Sequence, residues 1–294
     1  MENPTASASV NTQVVERTEQ LPLASRWKKG QLIGRGTFGS VYIASNQLHD
    51  RETRALCALK EYELLPDDPN SAECIMQLKQ EIEVLSQLRH PNILQYYGSE
   101  IVDNRLNICL EYAHHGSIDM YIQEHLGALT ESIVCNFTRH IVTGLACLHV
   151  NNSIHGDLKG ANLFVDASGI VKLADFGIAK HLTRQAAYRS LKASLNWIAP
   201  ELVRSLMVND NSTDHDHTVD MWSLGCPIIQ SMNGISPWSE YAQAAAIFKV
   251  MQSAPPIPET LSAEGKDFLQ CCFRRQPAER PPAAMLLEHA FRQI

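Results

Sequence analysis

Apolar and polar positions divide this chain into three regimes. Residues 1 to 25 are rich in Ser, Thr, Asn and Glu without periodicity, which predicts a flexible tail. Structure is expected to begin at Trp27 and to run mostly as strands to about Asn107. QLIGRGTFGSVYIAS reads as a hairpin and ALCALKEYELL as a strand. One helix interrupts them between Ser71 and Leu88, where Ile75, Leu78, Ile82 and Leu85 recur at steps of three and four. Beyond Ser117 the period becomes helical, and ESIVCNFTRHIVTGLACLH places Val134, Phe137, Ile141, Leu145 and Leu148 on one face. LFVD and IVKLA, separated by Ser-Gly, predict two short strands inside the segment Asn162–Asp175. Further helices are expected through to Ile294, and no internal repeat is visible. The pattern is a small β-rich lobe followed by a larger helical one.

Composition narrows the function classes. The net charge is -7, so no basic surface of the kind that holds nucleic acid by its phosphates is expected. No uninterrupted apolar run approaches the roughly 20 residues of a bilayer span, and MENPTASASVNTQ lacks the architecture of a signal peptide. Position 2 is Glu rather than the Gly that myristoylation requires. The eight cysteines are scattered, without paired C-x-x-C sets, and read as reduced packing residues. A cytoplasmic or nucleocytoplasmic protein without membrane insertion follows. The histidines of VNDNSTDHDH are expected to be exposed loop residues rather than metal ligands.

Candidate chemistry is concentrated in five places. In Gly34-Arg35-Gly36-Thr37-Phe38-Gly39-Ser40-Val41 three glycines let backbone amides approach phosphates. G-x-G-x-x-G alone could be a plain hairpin turn, but a strand, not a helix, follows it here, so the dinucleotide-binding reading loses. Lys60 ends the next strand, and a lone lysine there could be a solvated charge. Glu81, however, lies on the apolar stripe of its helix, and an inward carboxylate needs a partner, for which Lys60 is the natural candidate. Such a pair can hold the α- and β-phosphates of ATP or be merely structural. In His155-Gly156-Asp157-Leu158-Lys159-Gly160-Ala161-Asn162, Asp157 can accept the proton of an incoming hydroxyl, Lys159 can neutralise a transferring phosphoryl group, and Asn162 can ligate magnesium. Asp175, in Asp175-Phe176-Gly177, is the second magnesium candidate. Last, Glu201 of Ala199-Pro200-Glu201 is expected to pair with Arg280 as a structural brace, with Asp220 in VDMWSLG between them along the chain.

In this order the motifs resemble those of the eukaryotic protein kinases over Trp27–Phe291, and DLKGAN resembles the serine/threonine branch. WKKGQLIGRGTFGSVY, HPNILQYYGSE, VKLADFGIAKHL and FRRQPAERP look like plant MEKK-type mitogen-activated protein (MAP) kinase kinase kinases. The resemblance implies an α+β, bilobal protein kinase fold with a catalytic domain at 26–294, divided into an N-lobe of about 26–113 with one key helix and a C-lobe of about 114–294. It implies ATP and Mg2+ as cofactors and a MAP kinase kinase as protein substrate. It further implies that Ile33, with the glycine segment, covers the nucleotide; that Val41, Ala58 and Phe164 sandwich adenine; and that Leu110 guards the pocket. Glu111 and Ala113 would present backbone groups to the base, and Ser194 would bridge Asp157 and Lys159.

Four positions depart from the family pattern. Gly156 stands where an arginine usually binds a loop phosphate, and Ala193-Ser194-Leu195-Asn196 replaces the usual residues before Trp197. Pro227 lies within a predicted helix, where proline costs on the order of 3 kcal/mol, and Phe164 replaces a leucine beneath adenine. None removes a catalytic atom. Two readings follow: an active serine/threonine kinase, or a nucleotide-binding pseudokinase that acts as scaffold or competitor.

Overall fold

The computed structural model describes residues 26–36, 39–47, 56–64, 82–125, 127–175, 195–208 and 216–293. The first strands are β1 (Trp27–Gly36), β2 (Gly39–Asn46) and β3 (Leu56–Glu63), followed by β4 (Tyr96–Val102) and β5 (Arg105–Glu111). They form one antiparallel sheet in the order β1-β2-β3-β5-β4. The expected hairpin is β1–β2. The strand region runs to Glu111, past the predicted Asn107, because β5 has to pair with both β3 and β4. Of the helix expected at 71–88, residues 82–88 are described; 82–87 are helical and the helix ends before Leu88.

Period-two alternation sorts β3 into two faces. Cys57 and Leu59 pack with Trp27, Ala44 and Cys109 in a small cluster on one side. Ala58, Lys60 and Tyr62 line a cleft on the other. The Trp27 ring stacks on Tyr97 of β4 at 5.7 Å, so residues from the sheet's two edge strands meet over that cluster. Five of the seven described cysteines are buried and two half-buried, and all are free thiols. The reading of them as packing residues agrees with this, and Cys57 and Cys109 lie with sulfurs 3.1 Å apart.

The helical part comprises α1 (Ile118–Glu124), α2 (Glu131–Val150), α3 (Pro200–Val208), α4 (Thr218–Asn233), α5 (Gln243–Gln252), α6 (Ala263–Cys272) and α7 (Ala283–Leu286). Val134, Phe137, Ile141, Leu145 and Leu148 of α2 are all buried, as their spacing predicts. By length and composition α2 could cross a bilayer, but half of that apolar stretch is buried as the central helix of this core. In α4 every residue from Val219 to Ser231 is buried, and the helix runs through Pro227. Packing on all sides offsets the missing amide donor there. The two predicted short strands are β6 (Leu163–Val165) and β7 (Val171–Leu173), a hairpin set apart from the large sheet. Its turn is closed by Asp166, whose Oδ1 accepts from the amides of Ser168 and Ile170.

Candidate active site

The β6–β7 hairpin brings two distant sequence motifs together. Leu163 pairs with Leu173, and the Ala174 amide donates to the Asn162 carbonyl at 3.0 Å. Asn162 and Asp175 therefore flank the hairpin's open end. Asn162 is buried and its side-chain amide donates to the Asp157 carbonyl at 2.8 Å and to Asp157 Oδ2 at 3.0 Å. Its donor face is thereby occupied, which leaves the oxygen Oδ1 as the group a hard cation would find. Lys159 Nζ donates to Asp157 Oδ2 at 2.9 Å.

Asp157 is held in place from below by Asp220. This carboxylate is fully buried and accepts from the amides of His155 at 2.8 Å and Gly156 at 2.7 Å. His149 Nε2 donates to it at 2.9 Å, and the His149 ring stacks on His217 at 4.4 Å. His217 is thus half-buried at the start of α4, a correction to its reading as an exposed loop histidine. Gly156 has φ of +69°, a left-handed conformation that costs an L side chain roughly 1–2 kcal/mol. The departure at this position is therefore locally free of strain.

Burial works against a charged Asp220, but the His149 hydrogen bond, the nearby His155 and His149 charges and the Gly156 amide outweigh it and hold its carboxyl below the usual range. Asp175 follows the same pattern: burial opposes the charge, and Lys60 overrides it, with His155 and Lys159 adding to the effect. A carboxyl lowered in the folded state stabilises above its unfolded value, near 3.8, and loses that contribution as pH falls through the folded value. The urea midpoint is therefore expected to change little between pH 6 and 5 on account of these groups and to fall steeply below about pH 4. Asp220→Asn is expected to blunt that acid-limb fall. Equal acid sensitivity in the variant would show that Asp220 does not carry the effect.

From the sheet side Lys60 reaches Asp175, with Nζ 2.6 Å from Oδ2. The predicted partner, Glu81, lies outside the described residues, as do Thr37, Phe38, Phe176, Gly177 and Ser194. Among the described residues the ion pair of Lys60 is with Asp175. Its ammonium loses some basicity to burial and regains more from the Asp175 charge and then from Tyr62, so its affinity for a proton is raised overall.

These groups share one cavity of about 570 Å³. Its walls include Ile33, Gly34, Arg35, Gly39 and Val41 from the glycine hairpin, Ala58 and Lys60 from β3, and Leu110, Glu111 and Ala113 from the end of β5 and beyond. Asp157, Lys159, Asn162, Phe164 and Asp175 close it from below. Ser40 belongs to the hairpin but does not line the cavity, and Gly36 pairs with Gly39 at the hairpin's end. At Gly39 a Cβ would run into the Glu61 carbonyl of β3, so only glycine fits. Phe164 packs with Leu94, Ala113 and Ala174 as an apolar floor. The Glu111 amide donates to the Gln95 carbonyl and its carboxylate takes Lys172 at 3.0 Å. What this segment can offer a planar base is therefore the Glu111 carbonyl and the main chain of Ala113.

Sequence reasoning missed several cavity residues, among them Tyr62, Leu94, Ser117 and Met120. Tyr62 was within reach, because a residue two positions from Lys60 on a strand shares its face. The others converge only through loop paths that carry no periodic signal. The brace was anticipated: Arg280 meets Glu201 through both guanidinium ends, at 2.5 and 2.9 Å.

Comparison with known proteins agrees with this geometry. Residues 27–292 match the protein kinase domain model. Mitogen-activated protein kinase kinase kinase 5 of Arabidopsis thaliana is 61% identical over 97% of this chain, which covers 40% of that relative. Mitogen-activated protein kinase kinase kinase YODA of the same species is 50% identical over 91% of the chain, covering 29% of its length. Mitogen-activated protein kinase kinase kinase A of Dictyostelium discoideum is 39% identical over 90%, covering 28%. The chain thus spans well under half the length of these relatives.

Proposed function

The chain belongs to the protein kinase family, and from that premise we propose that it transfers the γ-phosphoryl group of ATP to serine or threonine hydroxyls of a MAP kinase kinase. One observation carries the reading: Lys60, Asp157, Lys159, Asn162 and Asp175, drawn from three separate segments, line a single cleft. The relatives, all named MAP kinase kinase kinases, supply the substrate class. They lend no support to the pseudokinase alternative.

The donor set fits magnesium. It offers one carboxylate (Asp175) and one amide oxygen (Asn162), both hard oxygen ligands of the kind magnesium takes alongside phosphate and water. Bound there, the cation would offset charge on the β- and γ-phosphates. The chain's own groups do the rest. Lys60 would hold the α- and β-phosphates, and Asp175, its present partner, would serve as a ligand to the cation. Asp157, tethered through Lys159 and Asn162, orients the substrate hydroxyl and takes its proton as the new oxygen–phosphorus bond forms and the bond from the γ-phosphorus to the bridging oxygen breaks, so that ADP leaves. Lys159 stabilises the charge on the phosphoryl group in flight. The apolar floor of Phe164, Leu94 and Ala174 receives the adenine.

The direct test is transfer of labelled γ-phosphate to a panel of purified MAP kinase kinases. Absence of transfer to every member, with Mg-ATP binding intact, would overturn the reading. Control by loop phosphorylation through position 156 is not expected, because Gly156 has no cationic side chain to meet a phosphate. Phosphatase treatment is therefore expected to leave the initial rate within about twofold, against the factors of ten or more that correspond to each 1.4 kcal/mol of lost transition-state stabilisation. Abolition of activity would contradict this.

A further inference from the structure

We propose that Tyr62 is a positioning residue for Lys60, a fixed wall that keeps the ammonium aimed into the phosphate site when Asp175 leaves it for the metal. The inference rests on the kinase reading above and extends it to a residue that reading does not use.

Tyr62 is 2% exposed and lines the back of the cleft, on the same face of β3 as Lys60. Its main chain is held on both sides, opposite Gly39 of β2 and Leu106 of β5. Its side chain packs in the main core with Leu85, Leu88, Leu106 and Ile108. The ring therefore has little freedom to move. Lys60 Nζ lies 5.2 Å from the ring centre and 2.6 Å from Asp175 Oδ2. A desolvated cation at that distance is attracted by the ring's quadrupole. Electrostatic attraction to Tyr62 also raises the ammonium's affinity for a proton, while burial keeps the phenol protonated, its pKa pushed up to about 12.

Among the described residues the two partners of Lys60, Asp175 and Tyr62, differ in permanence. Asp175 is a metal-ligand candidate, and engagement with a cation weakens its hold on the ammonium. A flexible lysine released in this way would lose much of its aim and regain rotamer entropy that phosphate binding must then remove. Tyr62, locked in the core, does not leave. A merely space-filling tyrosine is the alternative, and it makes a different prediction.

The test measures the dissociation constant of Mg-ADP and, with a MAP kinase kinase substrate, KM for ATP and kcat. Tyr62→Phe keeps the ring and removes the hydroxyl; Tyr62→Leu removes both. Nucleotide affinity is expected to fall about threefold in the first and about tenfold in the second, with kcat within about twofold, because the contact acts on ground and transition states alike. On a Lys60→Met background Tyr62→Phe is expected to add no further loss. Unchanged Mg-ADP affinity in Tyr62→Phe and in folded Tyr62→Leu, or an equal loss on the Lys60→Met background, would overturn the inference. If Tyr62→Leu does not fold, the near-isosteric Tyr62→Phe decides alone. Should the wild-type chain bind Mg-ADP but transfer no phosphate, the proposed function fails while the affinity comparison still judges Tyr62.

Discussion

Asp157→Asn is expected to lower phosphoryl transfer about a thousandfold while the protein still folds and binds Mg-ADP with near-normal affinity. The substitution is nearly isosteric, and the amide can still accept from one of the two donors, Lys159 Nζ at 2.9 Å or Asn162 Nδ2 at 3.0 Å. The loop itself is anchored elsewhere, by Asp220 on the amides of His155 and Gly156, so its path does not depend on the Asp157 carboxylate. What disappears is the negative charge that orients a hydroxyl and accepts its proton, an effect worth about 10² to 10⁴ in rate. Initial rates at saturating Mg-ATP, beside the Mg-ADP dissociation constant and the melting temperature, make the measurement. A variant that retained more than a tenth of the wild-type rate would remove Asp157 from the chemistry. A cellular effect that survived the substitution unchanged would point to the scaffold alternative.

The largest effect on stability is expected from Glu201→Ala, at about 3–5 kcal/mol in urea unfolding. Arg280 has a fully buried side chain, and Glu201 supplies its counter-charge through two parallel hydrogen bonds. Among the described residues the guanidinium also donates to the neutral carbonyls of Thr218 and Arg274, with the face of Trp222 5.1 Å away. Removing the carboxylate strands a cation in the interior, where carbonyl dipoles compensate it only in part. Arg280→Met is expected to destabilise less, because Glu201 is itself partly exposed and can be hydrated. Neither residue lines the cleft, so the folded fraction of either variant should bind Mg-ADP normally. A loss below about 1 kcal/mol for Glu201→Ala would show the brace to be an ordinary surface pair.

Much of the fold could be read from the chain because its signals are local. The alternation in β3, the three- and four-residue steps of α2 and the glycine spacing of the first hairpin each report on neighbours a few residues away. Spacing and resemblance together anticipated fifteen of the residues that line the cleft, from Ile33 to Asp175. Asp220 was noted only as a motif member, yet it holds the backbone beneath Asp157. A buried aspartate inside a helix has no sequence mark to show that the amides it accepts from lie 64 and 65 residues upstream. His217, read as an exposed loop residue, is half-buried against His149 beside Asp220 for the same reason.

On its own the sequence determined which chemical groups the protein owns, the order in which they occur, and the strand or helix that carries each, since periodicity and steric preference act between near neighbours. Only the tertiary structure decided who meets whom. It set Lys60 against Asp175 and Tyr62, and it turned the donor face of Asn162 toward Asp157. It also placed Asp220 under the loop. Attraction between charges and dipoles depends on separation in space and on burial, and neither quantity is written along the chain.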